Sequence, residues 1–331
     1  MSVKRDNAIK VVLISAIIIA FVAATLILVG ILDKNYGIFP EQGSGNKVLE
    51  YKGENYVLRK DVETFLILGL DKMSQDIKGD SYNNNQQADF LVLLIFDNSA
   101  KKYSVVHINR DTMAEIDVLG LAGNKVGTVN GQIALSHTYG KGGTVSNANT
   151  AKSVSRLLSG VKINHYMSIT LDAVPIMNDL VGGVAVEVLD DFTDADTGLV
   201  KGETVTLTSE QALTYIRERQ GTGEKTNVSR MKRQKQYIES MRDAIESAME
   251  NDSEFLSDAV VKISDYMESD CTPARLQEIG KKLQKYEYAG AKDIEGEAKT
   301  VESDDGAHIE FYPDEDKLMQ MVVGLFYEIK K

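Results

Sequence analysis

The sequence predicts an α/β domain: a central, mostly buried β-sheet covered by helices on both faces, like an α-β-α sandwich, and preceded by one transmembrane helix. Three observations predict it. Runs at 65–70, 90–96 and 103–108 are apolar without alternation, which suits strands covered on both faces. Helical spacing recurs at 147–158, 172–181, 209–217 and 230–249. Val11 to Leu32 runs for 22 residues without a charge, about 33 Å as a helix and close to the thickness of a bilayer core.

In chain order, residues 1–10 carry Lys4, Arg5 and Lys10 against Asp6, which places this tail in the cytoplasm and the chain beyond about residue 33 outside. A cleavable signal peptide has a shorter apolar region, of roughly 7–15 residues, so 11–32 reads as a retained anchor in the cell membrane. Gly37, Pro40, Gly43 and Gly45 mark 33–46 as a linker. Segments 49–51 and 56–58 form a hairpin. The three apolar strands follow, with a polar surface loop at 72–88 between the first two. A further strand covers 184–188, and the helix at 209–217 takes Ser209 as N-cap. Helices at 253–267, 272–285 and 314–330 complete an extracellular domain spanning 47–331.

Composition narrows the function. The 331-residue chain is 43% apolar and carries a net charge of −12, which excludes broad nucleic-acid binding. Its one cysteine, Cys271, excludes an internal disulfide and a cysteine-based zinc cluster. The four histidines form no HExxH-like pair, and there is no Walker loop or GxSxG elbow.

Two constellations carry chemistry. Asp71, Asp89 and Asp111 stand at strand ends, where neighbouring strands bring carboxylates together. Such a rim suits Mg²⁺, which takes one or two carboxylates plus phosphate oxygens; each aspartate alone would serve equally well as a turn cap. Arg217 and Arg219 close one helix, and Arg230 and Arg233 share a face of the next. Guanidinium forks bind phosphate, although a solvated helix face has the same look.

Seven segments in order resemble the LytR-CpsA-Psr family. They are FLILGLD ending at Asp71, ADFLVLL containing Asp89, HINRDT containing Arg110 and Asp111, NGQIALSHTYG from Asn130, VGGV from Val181, ALTYIRER containing Arg217 and Arg219, and NVSRMKRQ containing Arg230, Arg233 and Gln234. The likeness covers about 62–250. It implies a phosphotransferase that moves a glycopolymer from a polyprenyl-pyrophosphate carrier to peptidoglycan with Mg²⁺ assistance. Its partners would be the polyprenyl-pyrophosphate-linked glycopolymer, peptidoglycan and membrane lipid, with an apolar tunnel for the lipid. Matched position by position, the resemblance puts Asp71 and Asp89 at the metal. Arg110, Arg217, Arg219, Arg230, Arg233 and Gln234 fall around the pyrophosphate, with Asp89 and Arg110 catalytic and Asp111 fixing Arg110. The chain departs from the family at Gln87, where an arginine is common, at Asn109, where a proline is common, and at Asn227, where an aspartate is usual. These departures keep a second reading open, a catalytically weak wall-polymer or polyprenyl-phosphate binding protein with the same fold.

Overall fold

The computed structural model describes residues 48–71, 84–120, 122–192, 195–218, 227–252, 255, 262–303 and 306–330. The anchor expected at 11–32, the cytoplasmic tail and the linker lie outside these residues, as do most of the polar loop and Arg219. No helix among the described residues is long and apolar enough to cross a membrane.

The described strands and helices, in chain order, are β1 (Leu49–Tyr51), β2 (Glu54–Leu58), β3 (Val62–Leu70), β4 (Ala88–Asp97), β5 (Lys102–Ile108), β6 (Met113–Leu119), β7 (Lys125–Gln132), α1 (Gly143–Leu157), β8 (His165–Ile169), α2 (Ala173–Leu180), β9 (Val184–Glu187), β10 (Thr204–Leu207), α3 (Ser209–Arg217), α4 (Asn227–Asn251), β11 (Met267–Ser269), α5 (Pro273–Lys285), β12 (Glu287–Asp293), β13 (Gly296–Ser303), β14 (Gly306–Pro313), α6 (Glu315–Phe326) and β15 (Tyr327–Ile329). They divide into two compact units.

The larger unit holds the described residues of 48–170, 267–272 and 285–330. Its six-stranded sheet runs β11-β8-β3-β4-β5-β12, with β8 parallel to β3, β12 parallel to β5 and the other pairs antiparallel. The three continuous apolar runs occupy its centre, as expected. Alternate residues of these strands face opposite ways. Leu66, Leu68, Leu93 and Val106 join a core with Val154 and Leu158 around α1 and with Val322 and Phe326 of α6. Phe65, Leu94, Phe96 and Tyr103, on the other face, are also buried. Removing both faces from water is the main stabilising term here, at roughly 1.5–3 kcal/mol per large apolar side chain.

The smaller unit holds the described residues of 171–266 and 273–284. Val184, Val186, Phe192, Ala212, Tyr215 and Tyr237 form its core, from the β9-β10 hairpin, α3 and α4. Helix α3 spans the expected residues, but its cap differs. Thr208, not Ser209, is the N-cap, because its hydroxyl accepts from the Gln211 N–H while the Gln211 side chain returns to the Thr208 N–H.

Two other expectations change. The helix expected at 314–330 stops at Phe326, and Tyr327–Ile329 instead pairs antiparallel with β2. The helix expected through 267 gives way to a 3-10 turn at Ser264–Tyr266 and then β11. In both places a short edge strand finds a partner that local periodicity cannot reveal.

Candidate active site

Antiparallel pairing on either side of β4 brings the end of β3, the start of β4 and the end of β5 to one rim of the sheet. Asp71, Gln87, Asp89, Arg110 and Asp111 sit there. The β3-β4 register pairs Gly69 with Phe90 and Leu70 with Ala88, so Asp89 is the extra residue of a bulge. A bulge re-aims its side chain and strengthens the local twist. Gly69 permits the close approach, since a Cβ there would come within 2.9 Å of Phe90 Cβ.

Arg110 is held from three sides. One terminal nitrogen donates to Asp89 and the other to the Gln87 side-chain oxygen. Its Nε lies 3.3 Å from Asp111 Oδ1. Asp111 in turn accepts from Gln132 Nε2 at 3.0 Å, and the same Gln132 nitrogen donates to the Ile309 carbonyl at 2.6 Å. Asp111 thus sets its carboxylate beside the guanidinium. Asp71 is tied to the same strand start: its Oδ1 accepts from the Gln87 N–H at 2.7 Å, and its own N–H donates to the Gln87 carbonyl at 3.0 Å.

The departures from the family pattern have local physical readings. Gln87 bridges Asp71 through its backbone and Arg110 through its side chain. Asn109 makes an Asx turn, its Oδ1 accepting from the Asp111 N–H at 2.9 Å, so the strand exit is shaped without proline. Asn227 opens α4.

A layer of polar side chains supports this rim from within the larger unit. Asn84 Nδ2 donates to the His137 carbonyl at 2.9 Å and to Ser146 Oγ at 2.9 Å. His137 places Nδ1 3.0 Å from the Gln86 carbonyl and Nε2 3.0 Å from Asn147 Oδ1. Burial pushes the His137 imidazole down to about 4, against the raising effect of those two contacts.

The other predicted arginines belong to the smaller unit. Arg217 is exposed at the end of α3. Arg230, 6% exposed, lies one turn before Arg233 on α4. Arg233 is fully buried. Its Nε donates to the Tyr215 carbonyl at 2.8 Å, and its terminal nitrogens donate to Asp190, to the Glu218 carbonyl and, at 3.2 Å, to Ser229 Oγ. Its guanidinium carbon sits 5.1 Å from the centre of the Phe192 ring. This geometry makes Arg233 a brace between α3 and α4. Gln234 Nε2 donates to the Ile216 carbonyl at 3.1 Å and does the same work beside it.

Gln87 and Asn109 stood out in the sequence only as departures, and Gln132 and Asp190 were not among the candidate site residues. Gln132 falls inside the NGQIALSHTYG segment, which is the only signal it gives. Asp190 sits in an unremarkable Leu-Asp-Asp-Phe segment.

Comparison with known proteins sharpens this picture. The profile of the LytR_cpsA_psr family matches residues 40–323. A curated relative, the polyisoprenyl-teichoic acid–peptidoglycan teichoic acid transferase TagU of Halalkalibacterium halodurans, is 26% identical over 182 residues, 55% of this chain and 53% of that one. The chain thus spans about half the length of the curated relative it matches. Among solved structures, protein gbs0355 of Streptococcus agalactiae has 18% identity and a TM-score of 0.59, covering 80% of this chain and 86% of that one. B. subtilis TagT has 18% identity and a TM-score of 0.51, covering 80% and 90%. These structures share the mixed α/β fold with a central sheet and helices.

Proposed function

The chain belongs to the LytR-CpsA-Psr family, and from that premise we propose that it is a membrane-anchored, extracellular phosphotransferase. It moves a glycopolymer from a polyprenyl-pyrophosphate carrier to peptidoglycan. The observation that carries this reading is the clamped Arg110 at the common rim, beside Asp71 and Asp89. The curated relative TagU is named for a transfer of this class, and one solved structure is described as TagT bound to LIIa-WTA.

In the reaction, an acceptor hydroxyl of peptidoglycan attacks the phosphorus that bears the polymer. The bond from that phosphorus to the bridging oxygen breaks, and polyprenyl phosphate leaves. Asp89 takes the hydroxyl proton. Arg110 presents its planar fork to the pyrophosphate oxygens and stabilises the charge that develops on them. The resemblance also assigns Arg217, Arg219 and Arg230 to the polyanion, and within the smaller unit Arg233 and Gln234 brace α3 against α4. Asp111 and Gln132 keep Arg110 in orientation when the pyrophosphate draws it from Asp89.

The donor set at the rim fits Mg²⁺, because Asp71 and Asp89 offer hard carboxylate oxygens. These two would hold the ion, with one oxygen of Asp89 remaining for the proton. When bound, it supplies further charge neutralisation on the phosphate oxygens.

The second reading, a binding protein with weak turnover, draws on Gln87, a neutral side chain at a position where the family commonly carries a cation. One experiment separates the two. The full-length protein in detergent is given a polyprenyl-pyrophosphate oligosaccharide, a peptidoglycan oligomer and Mg²⁺. Release of polyprenyl phosphate together with a phosphodiester-linked product supports transfer. Carrier binding without release leaves the binding protein.

A further inference from the structure

We propose a second metal site, for a thiolate-seeking divalent ion such as Zn²⁺, formed by His165, Asp270 and Cys271 at the far end of the sheet. One ligand atom from each of the three lies within 4.8 Å of the others. His165 Nδ1 stands 3.4 Å from Asp270 Oδ2. A tetrahedral ion with bonds of about 2.0–2.1 Å to nitrogen and oxygen sets those two atoms about 3.4 Å apart, and puts a thiolate sulfur about 3.6 Å from each. The aspartate and histidine therefore already span one edge of the coordination tetrahedron, and a small side-chain rotation closes the third vertex.

The backbone prepares this arrangement. In the β8-β11 register Glu268 faces Ser168 and Ser269 faces Met167. Carried two residues further, the same register sets Cys271 opposite His165. Asp270 Oδ1 is fixed by the Tyr166 N–H at 2.9 Å, which leaves Oδ2 directed at His165. The Cys271 N–H donates to Ser269 Oγ at 3.1 Å, and that hydroxyl donates to the Tyr166 carbonyl at 2.9 Å. Such outer contacts orient metal ligands and tune their affinity. The His165 and Asp270 side chains are 25% and 15% exposed, so an ion has access from solvent.

A nitrogen, sulfur and carboxylate set selects Zn²⁺ over Mg²⁺ or Ca²⁺. Binding breaks the Cys271 S–H bond, forms a metal–sulfur bond and releases the proton to solvent. Three protein ligands leave a fourth vertex for water. His165 pairs with Phe65, six residues before Asp71, so about 20 Å of strand separates this site from the catalytic rim. The ion would staple β11 to β8.

Co²⁺ titration of the full-length protein tests the proposal. Cys271 is the one cysteine of the chain, so a thiolate-to-cobalt charge-transfer band can arise only there. The band should saturate at one equivalent, vanish on Zn²⁺ addition and persist in excess Mg²⁺. Cys271→Ser should abolish it, and His165→Ala should weaken Co²⁺ binding at least tenfold, with circular dichroism verifying that both variants fold. Should Cys271→Ser fail to fold, the wild-type band and the His165→Ala affinity decide. Absence of the band in the wild-type protein, or unchanged affinity in His165→Ala, would overturn the site.

Discussion

Two arginine–aspartate pairs carry opposite lessons. Arg110 and Asp89, at the sheet rim, have side chains 13% and 14% exposed. Arg233 and Asp190, in the smaller unit, have side chains 1% and 3% exposed. The first pair sits at the end of a strand on a bulge, where a ligand can replace the aspartate as partner of the guanidinium. The second is closed by Ser229, two carbonyls and an aromatic ring, so no exchange is open to it. The same two residue types thus serve chemistry in one place and architecture in the other, and what separates them is the number of protein acceptors around the guanidinium.

The sharpest way to break this comparison is in the closed pair. Asp190→Ala should cost about 3–5 kcal/mol of stability, because it strands a buried guanidinium. Denaturant unfolding of the variant measures it, and a loss below 1 kcal/mol would remove the architectural role. In the open pair the balance should reverse. Arg110→Ala should lower transfer about 10²–10³-fold, the scale of losing a donor to developing charge, with only about 1–2 kcal/mol of stability lost. Arg110→Lys should restore little, because lysine has no planar fork. Polyprenyl phosphate release set against thermal melting checks both variants.

Acid should act through His137. Its folded value near 4 lies below the ordinary 6.5, so the unfolded chain binds the proton first as pH falls. The contribution of the neutral imidazole is present in full above about pH 6.5 and is lost between there and about 4, at up to about 1.4 kcal/mol per pH unit. His137→Gln should flatten that part of the stability curve. The smallest effect is expected at the α3 cap, where Thr208→Ala should cost about 1 kcal/mol and leave the rim untouched.

Much of the rim was legible. Unbroken apolar runs forced β3, β4 and β5 into the centre of the sheet, and a charged residue just outside such a run has to lie at a rim. What stayed hidden depends on backbone detail. The bulge at Asp89 is a register shift, which no composition records. Strand β7 carries Gly127, Gly131 and the exposed Val126 and Val129, so it gave no periodic signal. The Arg233 brace was hidden because an arginine bound for the interior reads like one bound for phosphate, and Asp190, its partner, lies 43 residues away.

The pairing of β15 with β2 has a consequence for biosynthesis. Ile329 lies opposite Tyr56, and the Lys330 N–H reaches the Asn55 carbonyl at 2.8 Å. A strand made early must wait for one made more than 270 residues later. At roughly 5–20 residues per second that is a delay of some fifteen seconds to a minute. Throughout it, one edge of the β1-β2 hairpin stands open on the newborn chain, until β15 emerges and closes it.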